Sequence, residues 1–387
     1  MACQSLCDNL TRKKPAEVWL SDTPLRRCLT VIDLTSLGVG SIVGAGLYVV
    51  AGDLAREVAG PAVVLSFLLA SISALLCVFS YAEYGCRIPK AGSAYIYTYV
   101  TLGEIWAFIV GWNVVLEYII AGASLARACS EYLDTVFQGK IYHFFMHDIA
   151  TWNHAGIAPF PDFLAAAIVV AVVTLVCLGV RSSVNVQKAV TVGNFIVIFF
   201  MIIYGLFFAN FKNWTKNFTP YGVQGVLRGA ASAFFAFAGF DVITTASEET
   251  VYPQRNIPLS LILIITISTI AYLGVTTVLT LMLPYQELDT LAPLAKAFSQ
   301  NGNFPAAKYI IACGGICATI SSLVCVVFSS SRIVYSMSVD GMLLKWFSHV
   351  NERSHSPVRA TIIAGCFSAM LSLIFDITQL VSCFSSM

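Results

Sequence analysis

Nine apolar blocks, each about as long as the ~20-residue helix that crosses a ~30 Å hydrocarbon layer, dominate this chain. Their approximate limits are 31–51, 61–82, 95–121, 163–180, 189–209, 224–245, 258–283, 307–331 and 359–380, and they are numbered here as spans 1 to 9. Span 2 (PAVVLSFLLASISALLCVFSYA) and span 7 (PLSLILIITISTIAYLGVTTVLTLML) carry no charge. Only 11% of the 387 residues are charged, against roughly 25% in ordinary soluble domains, so a soluble globule is excluded. The expected fold is therefore all-α and polytopic, with the lipid bilayer as its first partner. A net charge of +1 gives no reason to expect nucleic acid.

Residues 1–30 read as a polar, basic tail rather than a signal peptide, which places the N-terminus in the cytosol. The excess of Lys and Arg on the inner side agrees with that orientation. The motif NWTKNFT puts glycosylation sequons at Asn213 and Asn217 in the loop between spans 5 and 6, which this topology turns outward. The sequon at Asn9 would be cytosolic. One long outer loop is expected over 122–162. The chain has twelve cysteines, and Cys77, Cys177, Cys313, Cys317, Cys325 and Cys366 read as buried thiols inside the spans, without metal-ligand spacing. No metal centre or cofactor is expected.

Spans 1 and 6 differ from the rest. In LTSLGVGSIVGAGLY (34–48), Gly38, Gly40, Gly44 and Gly46 interrupt an apolar run where each costs a helix about 1 kcal/mol relative to alanine. Close helix packing is one reading, since Gly40 and Gly44 are four residues apart. The other is that the helix unwinds at Val43, Gly44, Ala45 and Gly46, which lipid tolerates only where the freed backbone lines a cavity or finds a partner. A dinucleotide loop is excluded, because its strand, helix and acidic residue have no place among membrane helices.

Span 6 (SAFFAFAGFDVITTASEE) interleaves Ala236, Ala238 and Gly239 with Phe234, Phe235, Phe237 and Phe240, and Asp241 follows at once. An acid at membrane depth marks a functional site by default. Carbonyls freed at Phe237, Ala238, Gly239 and Phe240 could take an ammonium group, and half-helix N–H groups in span 1 a carboxylate. Glu104 and Glu117 in span 3 are thirteen residues apart, roughly 20 Å along a helix, so they cannot form a catalytic dyad. Either could snorkel to an interface or balance a cationic side chain. No nucleophile, base and orienting acid assemble in these motifs, so an enzyme is not expected. Spans 1 and 6 lie five spans apart; five is odd, so two such units are inverted relative to each other, as in many secondary transporters.

The segments GVGSIVGAGLY, YAEYGCRIPKAGSAYIYTYVTLGEIWAFIVGWNVVLEYI and FFAFAGFDVITTASEE, in this order at these spans, resemble the cationic amino acid transporter family of the amino acid-polyamine-organocation superfamily. The resemblance covers about residues 25–380. It implies a five-plus-five inverted-repeat, LeuT-like fold (first repeat 31–209, second 224–380, with 381–387 as a terminal stub) and alternating-access transport of arginine, lysine and ornithine. It places the substrate carboxylate at Val43, Gly44, Ala45 and Gly46, and the amino group at Phe237, Ala238 and Phe240, with Phe237 and Asp241 as gates. It also assigns Glu104, and less firmly Glu117, to substrate binding. Proton-coupled relatives carry lysine where this chain has Asn194, which implies uncoupled, facilitated movement. The implied location is the plasma membrane, or alternatively the lysosome. Family members have at least twelve spans, and this sequence ends in LVSCFSSM where span 10 is expected to begin. It therefore reads as a fragment or spliced product, or as a chain that does not transport by itself, and a transport-inactive sensor is the rival reading.

Overall fold

A computed structural model describes residues 12–13, 24–44, 46–146, 158–215, 217–288, 293–300 and 306–385. Asn9, Ala45 and most of the N-terminal tail lie outside the described residues. The described chain is a bundle of helices, with an isolated parallel bridge between Leu29 and Thr250. Gly46–Arg87, Glu104–Val136, Val180–Leu206, Pro253–Met282 and Ala307–Val339 are long and apolar enough to cross a bilayer. Val31–Ile42, Phe163–Cys177 and Val358–Ile374 are shorter apolar helices. The protein is thus a polytopic α-helical membrane protein.

The first half of span 1 occupies the centre of the bundle, packed against spans 5, 7 and 8. Span 8 is the most enclosed of the long helices and rests mainly on spans 3 and 5. Span 7 packs on span 2, and span 9 on span 4. Glycines set the closest approaches: a Cβ on Gly40 would overlap Gln187, Thr191 and Ser321, so span 1 meets spans 5 and 8 at backbone distance there. Helix packing and helix interruption are both written into the same glycine run.

Several span limits differ from the hydropathy reading. Helical turns run on from Gly46 to Ala59 and stop only where Gly60 takes φ +65° before Pro61, after which Val63–Arg87 forms span 2. Span 3 is two helices, Ala94–Thr101 and Glu104–Val136, separated at Gly103 with φ +111°, a conformation open mainly to glycine. Because the second runs to Val136, the long outer loop expected over 122–162 begins only after that residue, and its described part holds the helix Lys140–Phe144. Span 8 does not end before Arg332 but continues to Val339, since that charge finds a buried partner, Glu249, instead of a membrane surface. Span 9 ends at Ile374, and a separate helix, Ile377–Ser385, follows.

Every described cysteine is a free thiol. Of the six expected to be buried, Cys325 alone is so; Cys77, Cys313 and Cys366 are exposed, and Cys177 and Cys317 are intermediate. The spans present an apolar outer face, so a small hydrophobe fits there as well as inside.

The two sequons between spans 5 and 6 are not equivalent. Asn213 Nδ2 donates to Leu281 O at 2.8 Å beside the Trp214 Nε1 to Thr280 Oγ1 bond, whereas Asn217 is exposed. If this loop is lumenal, Asn217 is the preferred acceptor. Asn217→Gln should abolish the glycosidase-sensitive gel shift, and Asn213→Gln should leave most of it.

Candidate functional site

Span 1 loses its helical ladder at Val43. The helix Val31–Ile42 starts on a capping box, with Asp33 N–H bonding Thr30 Oγ1 and the Asp33 carboxylate accepting from Thr30 N–H. Val43 ends it at φ −82°, ψ 62°, and turns resume at Gly46. The last carbonyls of any helix lack intrahelical donors, and inside a bilayer other groups must supply them. Ser322 Oγ of span 8 donates to Gly40 O (2.9 Å) and lies 3.3 Å from Ser41 O. Asn194 Nδ2 of span 5 donates to Val43 O (2.8 Å), and its Oδ1 accepts from Tyr48 OH (2.6 Å). Tyr272 OH of span 7 lies 2.9 Å from Ile42 O.

Span 6 breaks in the same way. Gly222–Ala236 ends at Phe237; Gly239 takes φ +109°; and a single turn, Val242–Thr245, follows. Phe237 is fully buried, its ring against Tyr272 (5.1 Å between centroids) and Phe67 (6.5 Å). Phe240 meets Tyr81 edge to face at 5.1 Å. Ala238, between these two buried rings, is exposed. Tyr118 OH donates to the carboxylate of Asp241, and Glu117, the next residue on span 3, lies within electrostatic range of Asp241.

The two breaks face each other. A Cβ on Gly239 would stand 2.5 Å from Ser41 Oγ, and one on Gly46 would be 3.2 Å from Ala236 Cβ. Ser41 and Gly46 of span 1 therefore lie against Gly239 and Ala236 of span 6, whereas Gly44 faces Ser322 of span 8, Val43 is held by Asn194 of span 5, and Asp241 is held by Tyr118 of span 3. Ala45 lies outside the described residues. Asn194 sits at the first break as an anchor for a freed carbonyl.

Glu104 is not part of this constellation. It opens the helix Glu104–Val136, fourteen residues or about 20 Å of axial rise from Tyr118, where its neighbours are Tyr95 and Tyr99. It follows the break at Gly103 and stands apart from the two facing breaks.

Sequence reasoning overlooked Tyr118, Tyr272 and Ser322. A buried tyrosine hydroxyl nearly always finds a partner, so the lone aromatic hydroxyl in TISTIAYLGV was the available signal for Tyr272. Serine is common in membrane helices as a packing residue, and nothing local separates Ser322 from its neighbours.

Residues 29–387 match the family model described as amino acid permease. The chain is 46% identical over 379 residues to "Cationic amino acid transporter 4" of Homo sapiens and 44% over 378 residues to the Mus musculus protein of that name. It is 38% identical over 361 residues to "Cationic amino acid transporter 3, mitochondrial" of Arabidopsis thaliana. These alignments cover 97%, 97% and 92% of the chain, but only 60%, 59% and 59% of the relatives, so the chain spans about three fifths of their length.

Proposed function

Because the chain belongs to the amino acid permease family, we propose that it binds a basic amino acid where its two broken spans meet and carries it across the bilayer by alternating access. The observation that carries this reading is the juxtaposition of the breaks, with Gly239 on Ser41 and Gly46 on Ala236. The turns resuming at Gly46 offer N–H groups to the solute carboxylate, and the broken end of span 6 offers carbonyls to its ammonium group. Asp241 and Glu117 supply negative charge for a guanidinium or ammonium side chain. Phe237, packed on Phe67 and Tyr272, is the proposed gate. The five-plus-five repeat and the domain limits of the sequence reading are part of this proposal, as is a plasma-membrane location.

Asn194 favours uncoupled movement. Its uncharged amide already performs the local task of donating to Val43 O, and no proton need bind or leave there. A cation carried this way gains about 2.3 kcal/mol per 100 mV of inside-negative potential, an accumulation of roughly fiftyfold at equilibrium. Arginine uptake should therefore follow imposed membrane potential and be unaffected by an imposed proton gradient. Acid-stimulated uptake at constant potential would contradict this.

The function itself is tested with radiolabelled arginine, by uptake into cells expressing the chain and by equilibrium binding to the purified protein. Saturable binding and uptake support the carrier. Binding without uptake would favour the sensor reading, and absence of both would overturn the proposal.

A further inference from the structure

One side chain outside both broken spans touches both of them. Tyr272, fully buried in the middle of span 7, has its hydroxyl oxygen 2.9 Å from Ile42 O and 3.0 Å from Ala236 O. These are the final residues of the helices Val31–Ile42 and Gly222–Ala236. Each helix end carries a partial negative charge, equivalent to roughly half an electron, so two ends brought together repel unless a donor stands between them. The ring is fixed by stacking on Phe67 (4.9 Å between centroids, 13° between planes) and by Phe237 at 5.1 Å. A Cβ on Gly46 would lie 3.0 Å from the same hydroxyl, so the restart of span 1 closes over it.

We propose that Tyr272 is a positioning residue that holds the carbonyl ends of both broken helices in register for the solute's ammonium group. A phenol has a single hydrogen and faces two carbonyls, so it satisfies one of them fully at a time. An ammonium group brings three donors and completes the set: one to the carbonyl that the phenol leaves free, one available to the phenol oxygen itself. The hydroxyl thus keeps two negative ends at binding distance before the solute arrives, and the ring ties that geometry to Phe237. The link to the ammonium group rests on the proposed function; the coupling of the two breaks does not.

The test compares wild type with Tyr272→Phe as purified full chains in nanodiscs, by amide hydrogen exchange without solute and by arginine binding. Phenylalanine keeps both ring contacts and removes the donor. Exchange at 43–46 and at 237–241 should accelerate together by about tenfold, while the remaining turns of span 7 stay as in wild type. Arginine affinity should fall by a similar factor. Acceleration at one break only, at neither, or along the whole of span 7 as a purely structural role would give, overturns the assignment. If wild type binds no arginine, the proposed function fails, and the exchange result still decides whether Tyr272 couples the breaks.

Discussion

Replacing Arg332 by leucine is expected to destabilise the folded chain by about 3–5 kcal/mol, the usual consequence of leaving one partner of a buried ion pair without the other. Arg332 is 0% exposed and Glu249 1%. Arg332 Nη2 donates to Glu249 Oε1 at 3.0 Å, while Nη1 donates to Phe328 O (3.2 Å) and Ser331 Oγ (2.9 Å). The guanidinium also lies over the Phe328 ring, 3.4 Å from its centroid. Through its main chain, Glu249 accepts the amides of Cys28 (2.8 Å) and Leu29 (2.9 Å), and Val251 N–H returns to Leu29 O (2.9 Å). The pair therefore clamps the segment before span 1 and the segment after span 6 onto span 8. Loss of arginine strands a carboxylate that is 1% exposed, without its cation. Thermal unfolding in nanodiscs should show a large drop for Arg332→Leu and for Glu249→Leu, with much of it recovered in the double variant. An unchanged melting temperature for Arg332→Leu would contradict the account.

Gly44→Leu is expected to weaken arginine binding by about a hundredfold, the equivalent of losing two hydrogen bonds to a charged group. A Cβ at this position overlaps Ser322 Oγ, the donor that holds Gly40 O and Ser41 O. The branched side chain must push span 8 away or fill the space where backbone meets solute, and overpacking of this kind also costs about 1–3 kcal/mol of stability. Gly193→Ala is the matched control: its Cβ meets Cys317 Sγ at an ordinary 3.5 Å, so affinity and stability should stay near wild type. Wild-type affinity in folded Gly44→Leu would remove the span 1 break from the site.

The polytopic helical class was readable because the bilayer fixes helix length, although among the described residues five helices rather than nine are long and apolar enough to cross it. The two breaks were readable because glycines and alanines cluster there in otherwise apolar runs. Span 3 was misjudged because its interruption depends on a single residue, Gly103, whose φ of +111° is a property of backbone and not of hydropathy. The end of span 8 was misjudged for a different reason. A charge beside an apolar run looks like an interface until its partner is known, and Glu249 is 83 residues away in sequence. The candidate site was legible in its main chain and largely illegible in its supports. Tyr118, Tyr272 and Ser322 act through contacts between spans, which no local pattern encodes.

In the proposed function, the facing breaks of spans 1 and 6 together hold the solute. Amide hydrogen exchange on the purified chain, with and without saturating arginine, tests it most directly. The account predicts that arginine slows exchange at 42–46 and at 236–241 together, and that Gly44→Leu abolishes both effects. Saturable arginine binding that protects neither segment would contradict it.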